Sequence, residues 1–320
     1  MPIGYKVVGT TIYAEDYNRL QKKTAAILGQ GGGVHGADYG YGQPVKSSQV
    51  IGSGSTPGSG DLVTVEQMND LRIDVMKCWT HQTRDAFVLS EVGNTDIVQA
   101  GSASETLSNS INKTYNDYTY AVNYIDTNRM KADAAAMNLV NNKASITFSN
   151  WNNFRTHDIH VTFKDANHRR YFFNAGGELR ITAQHTGSWT AQSKSFIWQK
   201  LLSESGVITF SFAENATVTT APKALLYKSP TASPVYSENY YKVLGSAVTG
   251  NQLFFRAIFH DVDVGDRTGL GASVDENVIG STVSTVGVYY PTHKFNDGST
   301  AHTGVTVDMP VISSTQGNVY

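Results

Sequence analysis

Apolar side chains recur along this chain with two different periods, and the period changes near residue 145. In the first part, residues 15–28 place Tyr17, Leu20, Thr24, Ile27 and Leu28 on one face, the spacing of an amphipathic helix that Gly29 stops. Residues 66–79 repeat the pattern with Met68, Leu71, Val75 and Cys78. Thr64 followed by Gln67 predicts a capping box at the start of this second helix. A third periodic stretch spans 105–142, with Leu107, Ile111, Tyr118, Val122 and Ile125, interrupted by Thr114. It predicts one long packed helix, since the stripe is too short for a coiled coil. Beyond residue 145 the alternation is mostly that of strands.

The first two helices are also alike in sequence. Residues 15–21 (EDYNRLQ) align with 66–72 (EQMNDLR), with Glu, Asn and Leu identical. Two such helices form a hairpin, or a mount whose apolar faces (Tyr17, Leu20, Ile27, Met68, Leu71 and Val75) take a partner. Between them, 29–43 is a glycine-rich loop and 47–61 has the composition of a flexible linker.

The stretch 158–182 (DIHVTFKDANHRRYFFNAGGELRIT) opens the strand-rich part. Ile159, Val161 and Phe163 alternate with polar residues, as do Leu179 and Ile181, and Tyr171–Phe173 lies between two turn-forming clusters. The expectation is a three-stranded meander. A helix is expected at 194–204, ended by Gly206. Strands are expected at 5–9, 207–212, 224–227, 240–243, 253–260, 285–290 and 305–309. The predicted fold is α+β: a small N-terminal helical region and linker (1–90), a helical connector (91–144), and an antiparallel β-sandwich with an inserted helix (145–320).

Composition narrows the function classes. Only 16% of the 320 residues are charged, a profile closer to a β-rich extracellular or virion protein than to a cytosolic enzyme. The net charge of −2 argues against a nucleic-acid partner held by a basic surface. No apolar run is long enough to insert into a membrane, and the N-terminus lacks the layout of a signal peptide. One cysteine, Cys78, rules out an internal disulfide and fits folding in a reducing cytoplasm.

Candidate chemistry is sparse. The glycines of 29–33 lack the Gly-Lys-Ser/Thr of a phosphate loop. Cys78 has only His81 nearby in sequence, and no nucleophile elbow is present. His157 and His160 fall on opposite faces of a strand. Asp261, Asp263 and Asp266 offer oxygens suited to calcium, but without the pattern of an EF-hand they fit turn-forming aspartates better. No enzyme, cofactor or metal is expected. Trp151, Tyr240, Tyr241, Tyr289 and Tyr290 are the aromatics considered as a flat surface for sugar rings, with sheet packing as the competing role.

The strings EDYNRLQKKTAAILGQGGG, DYGYGQPV and LVTVEQMNDLRIDVMKCWTHQ, with HVTFKDANHRRYFFNAGGELRITAQHTG and GVITFSF, resemble virion structural proteins of tailed phages, especially contractile-tailed cyanophages. The likeness covers about 1–90 and 155–212. It implies a non-enzymatic tail, baseplate or fibre-associated component, assembled in the host cytoplasm, with other virion proteins and further copies of itself as partners, a trimer among the options. A capsid decoration or collar protein, and a module that binds host surface glycans, are the alternatives.

Overall fold

The computed structural model describes residues 2–7, 12–50, 62–83, 89–93, 114–130, 137–190, 193–231, 236–262, 277–291, 294–296, 301–303 and 305–317. Three helices come first: α1 (Ala14–Leu28), α2 (Val65–Thr83) and α3 (Tyr115–Asn128). Then follow β1 (Met137–Trp151), β2 (Phe154–Thr162), α4 (Ala166–Asn174), β3 (Glu178–Thr186), α5 (Lys194–Ser205), β4 (Ile208–Phe210), α6 (Phe212–Thr217) and β5 (Lys223–Lys228). The chain continues through β6 (Tyr240–Thr249), β7 (Gln252–His260), β8 (Val278–Pro291), β9 (Lys294–Asn296), β10 (Ala301–Thr303) and β11 (Val311–Gly317). The class is α+β, with an N-terminal helical region followed by two antiparallel sheets packed as a sandwich with inserted helices.

Two compact units divide the chain, and neither is continuous in sequence. One comprises Met1–Asn138, Arg170–Gly176 and Tyr290–Val307; the other comprises Leu139–Arg169, Gly177–Tyr289 and Asp308–Tyr320. This differs from the expected boundaries at 90 and 144. The first unit takes later segments of the chain into its core, and α3 belongs with α1 and α2.

The helical unit is built on one cluster that includes Tyr17, Leu20, Met68, Leu71, Val75, Tyr118 and Val122. Burying each large apolar side chain is worth about 1.5–3 kcal/mol. At the start of α2, the Thr64 N–H donates to Gln67 Oε1 at 2.9 Å and the Gln67 N–H to Thr64 Oγ1 at 3.2 Å, the expected capping box. At α1 the exchange is one-sided, and the Tyr13 N–H donates to Asp16 Oδ2 at 2.9 Å. The expected helix over 105–142 is shorter. Thr114 is its N-cap, its hydroxyl accepting from the Asp117 N–H at 3.2 Å, while residues from Met137 onward are strand. Leu107 and Ile111 lie outside the described residues. Of the predicted strand 5–9, residues 5–7 are irregular and the rest falls outside them too.

Extended segments of this unit are held by side-chain amides. Asn18 accepts the Val50 N–H at 2.8 Å and donates to the Val50 carbonyl at 3.2 Å. Asn69 does the same to Val92, at 2.9 Å both ways. Asn116 pairs with Lys6, Asn123 with Ile3, and Gln43 with Thr306 in the same two-way manner. Each amide copies the donor–acceptor pair of a neighbouring strand and so satisfies backbone that has no ladder of its own.

The sandwich has a four-stranded sheet, order β1-β8-β3-β4, and a five-stranded sheet, order β11-β2-β7-β6-β5. Rings from both inner faces interlock. Phe210 of β4 meets Phe255 of β7 edge to face at 5.0 Å, and Phe148 of β1 meets Phe259 of β7 at 5.4 Å. Trp198 of α5 packs on Trp151 at 4.8 Å, so the inserted helix closes this core.

The meander expected over 158–182 does not form. Its middle piece is α4, begun by the Asp165 carboxylate, which accepts the His168 N–H at 2.8 Å. Tyr171, Phe172 and Phe173 are all buried, which a strand with one wet face does not allow. β2 and β3 consequently belong to different sheets. The expected strand 305–309 is irregular and β11 begins at Val311, while the expected strand over 207–212 shortens to β4 and runs into α6.

Candidate interaction surface

Register and ring contact place four rings in a row across four adjacent strands of the five-stranded sheet. Phe154 of β2 is paired with His260 of β7, and His260 with Tyr240 of β6. Their rings meet edge to face at 5.1 and 4.8 Å. Tyr227 of β5 extends the row, its ring 5.2 Å from that of Tyr240. These residues alternate with the inward-facing Tyr241 and Phe259, so the row lies on the outward face. Tyr227 is 59% exposed, and the other three rings are half-buried.

A second group sits further along the same face. The Arg256 guanidinium donates twice to Asp158, at 2.7 Å each, and lies over the Phe254 ring at 5.4 Å. The exposed His160 ring rests 5.0 Å from that of Phe254. The Asp158 carboxylate holds the guanidinium above its ordinary value. Burial lowers His260, and burial first, with Tyr227 beside it, raises the Tyr240 hydroxyl, so both rings are neutral near pH 7. A row of neutral rings beside one fixed ion pair can stack on apolar faces, whether of sugars or of protein side chains, and orient them through the Arg–Asp pair.

The residues singled out from sequence do not gather into one surface site. Tyr17, Leu20, Ile27, Met68, Leu71 and Val75 are all buried within the chain, so they are core and do not form an exposed mount. Trp151, Tyr241 and Tyr290 are buried as well. Tyr240 belongs to the ring row, while Tyr289 lies under the Arg180 guanidinium at 4.3 Å. Asp261 is buried and accepts from Lys194 and Asn239 at 3.0 and 2.8 Å. Asp263 and Asp266 lie outside the described residues. Among the described residues, no cluster of three or more His, Cys, Asp or Glu side chains is placed to hold a metal ion.

Cys78 is buried and its thiol is pushed well up by burial, so it persists as the thiol; the nearby His81 is buried too, its ring tilted against that of Tyr41 at 5.0 Å. The glycine loop folds back on the end of α1. Tyr41, Gly42 and Gln43 donate backbone N–H groups to Ile27, Gly29 and Leu28. Gly31, at φ +54, leaves no room for a side chain against the Tyr39 carbonyl. His157 and His160 do face opposite ways, His157 inward with Nδ1 2.9 Å from Ser284 Oγ.

Sequence reading missed Phe154, Tyr227 and His260 because each is unremarkable in its own segment. Only strand pairing aligns them: β5, β6 and β7 follow one another in the chain, and β2 joins β7 from much earlier. Comparison with protein-family models, curated proteins and solved structures finds no match.

Proposed function

We propose that this protein is a non-enzymatic structural component of a tailed-phage virion, a peripheral tail or baseplate part or a fibre connector. The observation that carries this reading is the pair of sequence strings over 1–90 and 155–212, which fall on a helical unit with a repeated helix motif and on a β-sandwich. Helical attachment and β-rich display is a workable plan for an appendage. Because the apolar stripes of α1 and α2 are core, attachment in this reading uses the outer surface of the helical unit. Further copies of the chain and other virion proteins are the partners. The test is mass spectrometry of purified particles combined with gold labelling by an antibody against residues 150–320. Presence in particles with gold at the tail tip or baseplate rim is expected. Gold over the head moves the assignment to a decoration or collar protein, and absence from particles overturns the reading.

The row of rings favours a second role within that plan, recognition of host surface glycans by the outer face of the five-stranded sheet. Tyr227→Ala and Tyr240→Ala are expected to leave the fold intact and to weaken adsorption of particles to host cells roughly ten-fold or more, since ring stacking is worth about 0.5–1.5 kcal/mol per pair. Unchanged adsorption together with a silent glycan array removes this role and leaves the structural one standing.

A further inference from the structure

The sandwich unit contains a fully buried group of three polar side chains that the reading above does not use. Lys194, the first residue of α5, is 0% exposed, and its Nζ lies 3.0 Å from Asp261 Oδ2. The other carboxylate oxygen of Asp261 accepts from Asn239 Nδ2 at 2.8 Å. Asn239 and Asp261 are also 0% exposed. Asn239 Oδ1 accepts the Val262 N–H at 2.8 Å, which fixes the carboxamide, and the Asp261 N–H donates to the Asn153 carbonyl at 2.7 Å, which anchors the backbone that carries the carboxylate. The ring of buried Tyr236 lies 5.9 Å from Nζ.

We propose that Lys194 and Asn239 become joined by an intramolecular isopeptide bond, formed by the folded chain itself with Asp261 as the proton carrier. Three features carry the inference. One carboxylate holds both a primary amine and a carboxamide, the nucleophile and the acyl group of a transamidation. A backbone N–H already lies on the carboxamide oxygen, where negative charge develops when the amine adds. Burial removes water that competes as a nucleophile. A buried ion pair alone contributes little net stability, so the burial of a third polar partner calls for a further reason.

The step balances without an oxidant or a cofactor. The Lys194 ammonium passes a proton to Asp261 Oδ2. The amine lone pair then forms a bond to Asn239 Cγ, and the charge on Oδ1 is met by the Val262 N–H. Asp261 delivers its proton to Nδ2 and takes the second proton from the attacking nitrogen. The Cγ–Nδ2 bond breaks, the carbonyl re-forms and ammonia leaves. An ammonium and a carboxamide have become a secondary amide and, after Asp261 gives up its proton, an ammonium ion. The inference does not depend on where the chain sits in a particle.

Intact-mass measurement on the purified, denatured full chain tests it. The expected mass is that of the sequence less one ammonia. Trypsin is then expected to yield a branched peptide joining residues 181–200 to residues 229–242, uncut at Lys194. In Lys194→Arg the cation remains to face Asp261 while the acylable amine is gone, so this variant is expected to fold and to show the full sequence mass. Asp261→Asn is expected to show it too. A folded wild-type chain at full sequence mass overturns the proposal. So does an ammonia deficit that persists in Lys194→Arg, which marks an asparagine cyclised to a succinimide. Loss of water with Asp261 in the branched peptide overturns the assignment of Asn239 as the acyl group.

Discussion

His157 shows most directly what the sandwich interior demands of a single residue. Its side chain is buried and its ring nitrogen meets Ser284 of the opposite sheet. Burial lowers its pKa from 6.5 to about 4, against a smaller opposing effect of the Asp158 carboxylate. Between those values the folded state binds fewer protons than the unfolded state, so stability rises with pH across that window and is lost as pH falls through it. The full contribution is on the order of 3 kcal/mol. His185 and His260 are lowered by burial as well and act in the same direction. Unfolding free energies from denaturant titrations at pH 7 down to pH 4 are therefore expected to fall (~3 kcal/mol or more in all), and His157→Gln to flatten part of that slope. An unchanged slope in the variant removes His157 as a source. At this scale the sequence was informative wherever one residue's neighbours in the same strand decide its face, as for Ile159, Val161, His157 and His160. It was silent about Ser284, which reaches His157 only through the packing of two sheets.

For the helical elements, the internal repeat has a physical explanation in Asn18 and Asn69. They occupy the same place in the two copies, and each grips the N–H and carbonyl of a valine in an extended segment, Val50 and Val92. The apolar positions of the repeat were readable as a buried stripe, but the asparagine's role depends on a segment 23 or 32 residues away. Asn69→Ala leaves both Val92 groups without the side-chain partner, and a loss of about 1–3 kcal/mol is expected in chemical unfolding. Asn69→Asp retains the acceptor for the Val92 N–H and forfeits the donor, so its loss is expected to be smaller. Equal losses in the two variants argue that the amide's contribution is packing and not the two-way hydrogen bond. The misread elements have local causes of the same kind. Thr114 breaks an apolar stripe because it is a cap, and α4 reads as a strand in sequence because consecutive aromatics between turn residues carry no period that separates the two.

For the whole molecule, the division into two discontinuous units decides what a fragment can do. The cluster that holds α1, α2 and α3 together lies within the first 138 residues, so a fragment 1–138 retains the means to form helices. It lacks the rest of its own unit. Tyr171, Phe172, Phe173 and Tyr290 are buried in the full chain, and Tyr171 packs on Gly42 so closely that no side chain fits there. The Asn174 amide lies within 3.1 Å of the Ala37, Tyr39 and Gly40 carbonyls, and Gln43 is clamped to Thr306. Nothing in the order of the sequence announces these returns, since a chain that leaves a core and re-enters it more than a hundred residues later looks like separate domains in a linear reading. Losing four buried aromatic side chains removes roughly 6–12 kcal/mol of apolar burial, as much as the net stability of an ordinary domain. The fragment is accordingly expected to show helical far-ultraviolet dichroism, bind a hydrophobic dye and unfold without a sharp transition, as compact states with loose packing do. A cooperative transition with a midpoint close to that of the full chain would show instead that residues 1–138 are sufficient, and that the returning segments lie on a core already complete without them.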